Sequence, residues 1–267
     1  MSRGFVWLCQ NNDRVDYVRC SVELARSIKL HNRQNNICVL VDSNSKFSSE
    51  YVDMVKVLPM DDSADHTNKF ANEHQVFVMS PFTHTIKLEA DMLWTANTDW
   101  WWYHLWQHDL VFSIDCLDYR GRRVKNYTYR RLFQQNHLPN IYNGLTYFRR
   151  SQRAKKFYHL CQQLCINWSM VREQWLINCH DTYPTTDVIY ALAARIMDPT
   201  QEAMIDYAWF KFIHGKPAIN QSPVADCNNY LYPVQLDDRI YLGGRRLSDV
   251  WHYHDKKTTE VLDARIF

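Results

Sequence analysis

Apolar runs and amphipathic stretches alternate along the first part of the chain. "GFVWLCQ" (4–10) is a short β-prone apolar run, and it gives way to the polar cluster Gln10–Asp13. "DRVDYVRCSVELARSIKLHN" follows, with Val15, Val18, Val22, Ala25 and Ile28 at helical spacing and Asp13 placed to cap it. "NNICVLVDSNS" then reads as a second buried strand, Ile37 to Val41, ending at Asp42. Strand, helix and strand with short connections predict a βαβ unit, hence a parallel sheet covered on both faces.

The pattern continues with a helix over 68–79 stopped by Pro81, and a strand in "HTIKLEAD". "NTDWWWYHLWQH" is a helix capped by Thr98 or Asp99, with its aromatic side chains in the core and one of them available to a site. "DLVFSID" is a further strand. Residues 151–178 read as one long helix capped by Ser151, and "PTTDVIYALAARI" as another capped helix. Beyond Pro199 only short strands such as "DRIYLG" and "VWHYH" stand out. The expectation is an α/β fold: one domain over 1–267, a mostly parallel central sheet with helices on both faces, and an irregular C-terminal extension.

Composition narrows the chemistry. Hydrophobic residues make up 46 % of 267, enough for a sizeable core, while Gly occurs 6 times in all. No glycine-rich phosphate loop is present, so a bound nucleotide needs another way to hold its phosphates, with a metal ion the natural candidate. Eight cysteines contain no Cys-x-x-Cys pair, and the apolar run in "MSRGFVWLCQ" is too short for a secretion signal. Reduced thiols, a cytoplasmic location (host cytoplasm for a phage protein) and no membrane partner are expected. The net charge of +2 conceals an asymmetry. Residues 119–160 hold 11 Lys or Arg and no Asp or Glu, leaving 20 basic against 29 acidic residues elsewhere.

In open parallel sheets, ligands bind at the carboxyl ends of the strands. Asp42, Glu89, Asp91 and Asp115 all fall at predicted strand ends, and the polar cluster from Gln10 follows the first strand in the same way. Glu89 and Asp91 are two apart, so on an extended chain both carboxylates leave one face and can address one hard cation, Mn²⁺ or Mg²⁺. Near the C-terminus, "VWHYHDK" places His252, His254 and Lys256 in the same alternation. Imidazole suits a Mn²⁺-type site, and the ammonium suits a phosphate.

These segments carry a resemblance. "IKLEADMLW" resembles the D-x-D segment of GT-A fold glycosyltransferases that use nucleoside-diphosphate sugars. "YNGLTYFRRS", "TTDVIYAL" and "WHYHDK" resemble, in order, the Asn–Gly, helix-opening Asp and C-terminal His–Lys segments of the glycogenin-like family 8 enzymes. The family has one residue between the Asn and the Gly, and Asp where Glu89 stands. The resemblance implies a single GT-A domain, with a nucleotide-sugar half over about 1–118 and an acceptor half over about 119–267. It implies a divalent metal cofactor and a nucleoside-diphosphate sugar donor, UDP being the favoured nucleotide, and it favours retention. Asp91 would be the principal metal ligand, Glu89 would hold metal or ribose, and one of His252 and His254 would complete the set. Lys256 would steady the diphosphate and Lys69 would contact the donor. Gln10, Asn12 and Asp42 would hold base or ribose. Asn143 and Asp187 would face the sugar or acceptor, as the catalytic pair.

The acceptor is expected from the basic run. Arg120, Arg122, Arg123, Lys125, Arg130 and Arg131, with Arg149 and Arg150 further on, are interleaved with tyrosines that can stack on bases. The chain also resembles phage-type enzymes that glycosylate hydroxymethylated cytosine, so DNA is the expected acceptor, with base extrusion required in a duplex. Three other readings stand beside it: the same transferase acting on a polysaccharide or protein, a metal-dependent nuclease, and a DNA-binding module without catalysis.

Overall fold

The computed structural model describes residues 2–61, 69–124, 128–201, 204–220, 233–236, 239–260 and 262. Its centre is a six-stranded mixed sheet built from β1 (Arg3–Cys9), β2 (Asn36–Val41), β3 (Met54–Val57), β4 (His84–Leu88), β6 (Leu110–Ile114) and β7 (Ile141–Arg149). The strand order is β3-β2-β1-β4-β7-β6. β1 pairs in parallel with both β2 and β4, and β3 adds in parallel to β2. β7 alone runs the other way, antiparallel to β4 and β6. Five carboxyl ends therefore lie along one sheet edge.

Both faces are covered. Alternation along β1 sends Phe5, Trp7 and Cys9 to one side, against Cys20, Leu24, Ala25 and Ile28 of α1 (Tyr17–His31). Val6 points to the other side, among side chains of α5 (Gln152–Ile166), α6 (Trp168–Gln174) and α7 (Thr186–Met197). A second, three-stranded sheet joins β5 (Met92–Leu93), β12 (Val250–His252) and β8 (Phe212–His214), and a third contains β9 (Pro233–Leu236), β10 (Arg239–Leu242) and β11 (Arg245–Arg246).

Several expectations need correcting. The cap of α1 is Asp16, which accepts from the Arg19 amide, and not Asp13. The segment before Pro81 is mostly a 3-10 turn, Lys69–Gln75, with one α-turn, α2 (Val76–Met79). The long helix breaks at Asn167, whose side-chain amide donates to the Gln163 carbonyl and whose backbone (φ −100°, ψ 25°) leaves the helical region. α3 is short (Trp101–Leu105) and has no side-chain cap from Thr98 or Asp99. Its neighbour Trp106 stacks on His84, the first residue of β4, so this aromatic segment sits at the amino end of that strand, away from the strand ends that bear acids. α4 (Arg131–Gln135) opens on the basic run.

The seven described cysteines are all free, and Cys9, Cys20, Cys38, Cys116 and Cys161 are buried. Burial pushes the Cys9 thiol up to about 12 and those of Cys20, Cys38 and Cys116 to about 11. Iodoacetamide at about pH 8 is therefore expected to alkylate Cys165 and Cys179 well before these five, as read by peptide mass mapping. Early labelling of Cys9 would contradict its packing. No helix among the described residues is long and apolar enough to cross a membrane.

Candidate metal centre

Glu89 and Asp91 do converge, though through a turn and not through strand alternation. β4 ends at Leu88, the chain turns at Ala90–Asp91, and β5 begins at Met92. That short strand pairs antiparallel with β12, placing His252 opposite Met92, and the Tyr253 amide donates to the Asp91 carbonyl at 3.2 Å. The register brings His252 Nε2 to 3.2 Å from Asp91 Oδ1 and 3.4 Å from Glu89 Oε2. One ligand atom from each of Glu89, Asp91 and His252 lies within 4.8 Å of the others. Lys256 donates to Asp91 Oδ2, so the two oxygens of this carboxylate serve different partners.

The electrostatics follow from burial and from these cations. Burial alone would raise the Asp91 carboxyl, but His252 and Lys256 overcome it and hold it well below the usual carboxylate range. Burial also pushes Glu89 up, and there it prevails over His252 and Lys87. Burial disfavours the His252 cation, yet Asp91 and Glu89 outweigh it and raise its pKa. Two carboxylates and an imidazole at this spacing fit Mn²⁺ or Mg²⁺, the imidazole favouring Mn²⁺. His254 is exposed and stays out of the group, because β12 ends at His252 and the chain turns before returning Lys256.

A cavity of about 340 Å³ opens beside the triad, lined also by Gln10, Asn12, Tyr17, Asn143, Asp187 and His214. Its walls come from both the first and the second half of the chain. Gln10 lies between Asp42, to which it donates at 3.4 Å, and Asn72, from which it accepts at 3.2 Å. Asp42 is buried behind it, with Oδ1 accepting from the Asn44 and Ser45 amides at 3.1 and 2.7 Å, and does not line the cavity. Asn12 uses its side-chain oxygen on the Arg14 and Val15 amides. Asp187, in the first turn of α7, accepts from the Asn143 amide at 2.8 Å and from Arg130 at 3.1 Å. Asn143 and Gly144 lie inside β7 rather than before a strand. A Cβ on Gly144 would meet Glu89 Oε2 at 3.0 Å, so the glycine makes room for that carboxylate. The Lys69 side chain lies outside the described residues.

Asp115 is not part of this group. It adopts φ 61°, pairs with Arg123 at 2.6 Å and accepts from Asn140 at 2.6 Å.

The basic run is not one open face. Arg130 is buried between the rings of Phe133 and Tyr142, with bonds to Asn140, the Ile141 carbonyl and Asp187. Arg123 binds Asp115 and Asp206, Arg149 binds Asp109, and Arg150 caps the carbonyls of Val78, Ser80 and Phe82. Arg122 pairs with Asp118, and Arg120 lies on its neighbour Tyr119. Arg131 is exposed, and Lys125 lies outside the described residues.

Three cavity-lining groups escaped the sequence reading. Tyr17 opens α1 and is part-buried. Glu73 forms an ion pair with the fully buried Lys87 and accepts from Asn143 at 3.4 Å. A lysine in the middle of the run "TIKLEA" was the available signal, since it needs a counter-charge inside the core. His214 stacks on His252, ring centroids 4.7 Å apart and planes 13° from parallel, and burial holds its pKa well below the usual value. Its signal was "FIHGK", a second histidine followed by lysine. Set against protein-family models and against curated proteins, the chain matches none.

Proposed function

We propose that this chain is a divalent-metal-dependent glycosyltransferase of the GT-A type, moving a sugar from a nucleoside-diphosphate sugar to a hydroxyl. The observation that carries the reading is the convergence of Glu89, Asp91 and His252, with Lys256 attached, at a sheet edge that opens on a cavity of about 340 Å³. The strand order brings β1 and β4 side by side, so groups following each can share one ligand. Gln10, Asn12 and Tyr17 line the same cavity and supply amides and an aromatic ring suited to a nucleobase and ribose.

A metal held by the triad would neutralise the diphosphate as a Lewis acid, which suits a chain without a glycine-rich cradle. Lys256 adds a positive charge beside the same group. Asn143 and Asp187 line the cavity wall and are tied together, so their geometry is fixed before substrate enters. Arg130 neutralises Asp187 from behind, which fits a carboxylate that stabilises developing positive charge at the sugar rather than one that attacks it.

For the acceptor, hydroxymethylated cytosine in DNA remains the arm to test first, although the basic run lends it little weight, because most of its described arginines are bonded within the fold. Purified protein with Mn²⁺ and a panel of nucleoside-diphosphate hexoses is expected to release nucleoside diphosphate, and chelation to stop it. A sugar mass gained on hydroxymethylated DNA, and not on unmodified DNA, identifies that acceptor; gain on a glycan instead moves the chain to the polysaccharide reading. DNA cleavage without any nucleotide-sugar turnover would replace the transferase by a nuclease.

A further inference from the structure

β8 and β12 run in parallel and in register, which sets His214 directly beside His252. The approach is close: the Gly215 amide donates to the His252 carbonyl at 2.7 Å. A Cβ on Gly215 would meet that carbonyl and the His254 nitrogen at 3.1 Å each. A side chain at this position would press these strands apart by a few tenths of an ångström, so the glycine favours the close stack of the two imidazoles. Phe212 and Tyr142 close on the His214 ring at 5.7 and 6.0 Å, so its plane is fixed from several sides.

The ring nevertheless has no hydrogen-bond partner among the described residues. Its Nδ1 is buried and unsatisfied, while the residue lines the cavity beside the metal triad. The edge left to face the cavity therefore carries Nε2. The tautomer with its proton on Nε2 buries only a lone pair at Nδ1, which is the less costly arrangement. The N–H on Nε2 is then the one left for the cavity, which Glu89, Asp91 and His252 also line.

We propose that His214 is a ligand-binding residue that donates from Nε2 to a phosphate oxygen of a diphosphate held at the Glu89–Asp91–His252 centre. The proposal rests on the nucleotide-sugar reading above, and it adds a contact from a strand that supplies no metal ligand.

His214→Phe keeps the ring and its stack but removes the donor, and His214→Gln returns an N–H at similar reach. Calorimetry would use Mn²⁺ alone, then UDP and inorganic pyrophosphate in the presence of Mn²⁺. His214→Phe is expected to bind Mn²⁺ as the wild type does, and to bind both UDP and pyrophosphate about tenfold or more weakly. His214→Gln is expected to recover most of that loss. Unchanged UDP and pyrophosphate affinity in His214→Phe overturns the proposal. A parallel loss of Mn²⁺ affinity also overturns it, because the ring would then act only by supporting His252. Wild-type protein that binds Mn²⁺ and pyrophosphate, with His214 required, but not UDP would keep this contact and remove the nucleotide-sugar reading. Wild-type binding of neither anion removes both.

Discussion

Replacing Asp91 by Asn is expected to abolish Mn²⁺ binding and to lower metal-dependent nucleotide-sugar turnover by at least about a hundredfold. The size of the effect follows from position. Asp91 is buried, touches His252 through one oxygen and Lys256 through the other, and is held as an anion by both. The amide keeps the volume but provides neither the charge nor the second lone-pair face, so the metal would keep one carboxylate and one imidazole. His252→Ala should act in the same direction, while His254→Ala should bind Mn²⁺ as the wild type does, since His254 is exposed and outside the group. Calorimetric titration with Mn²⁺ checks all three. Wild-type affinity in Asp91→Asn would put the metal elsewhere and remove the basis of the proposed chemistry.

Glu73→Ala is expected to be the most destabilising single change near the site. Lys87 is completely buried in β4, and among the described residues its ammonium reaches Glu73, the Asn143 carbonyl at 3.2 Å and the face of Tyr190 at 5.8 Å. Removing the carboxylate strands a charge in the core, which costs about 3–5 kcal/mol. For a chain of this size that lowers Tm by roughly 10 °C. The double variant Glu73→Ala/Lys87→Met removes both charges and should regain most of the loss, as a hydrophobic replacement of a buried pair commonly does. Thermal unfolding by circular dichroism reads both. A Glu73→Ala protein melting within about 2 °C of the wild type would mean that Lys87 finds water or another partner, and that the pair is not what fixes the wall around Asn143.

What could be read from the sequence divides along physical lines. The core strands β1, β2, β4 and β6 announced themselves because strands buried in the centre of a covered sheet are continuous apolar runs, and the acids following them stood out against that background. β3 was not singled out: it is a four-residue edge strand, Met54–Val57, whose apolar side chains stay largely exposed. The break at Asn167 was hidden because helical spacing of apolar residues persists across it. Whether His252 or His254 joins the acids depends on where β12 stops, which spacing alone does not set. The arginines misled for a different reason: composition shows the charge, while the partners that absorb it, Asp109, Asp115, Asp187 and Asp206, lie elsewhere in the chain and meet it only in the fold. His214 was invisible as a neighbour of His252 until two short strands fell into register.

The small sheet of β8, β5 and β12 also sets a timetable. The last strand of the six-stranded sheet to be synthesised ends at Arg149, so every strand of that scaffold has left the ribosome long before residue 252 is made. The imidazole that completes the triad then arrives on a late strand that must find Met92 and Leu93 already waiting beside the two acids. A nascent chain can thus own its scaffold and both carboxylates while still lacking the third ligand, so competence for metal marks the end of folding and not its beginning.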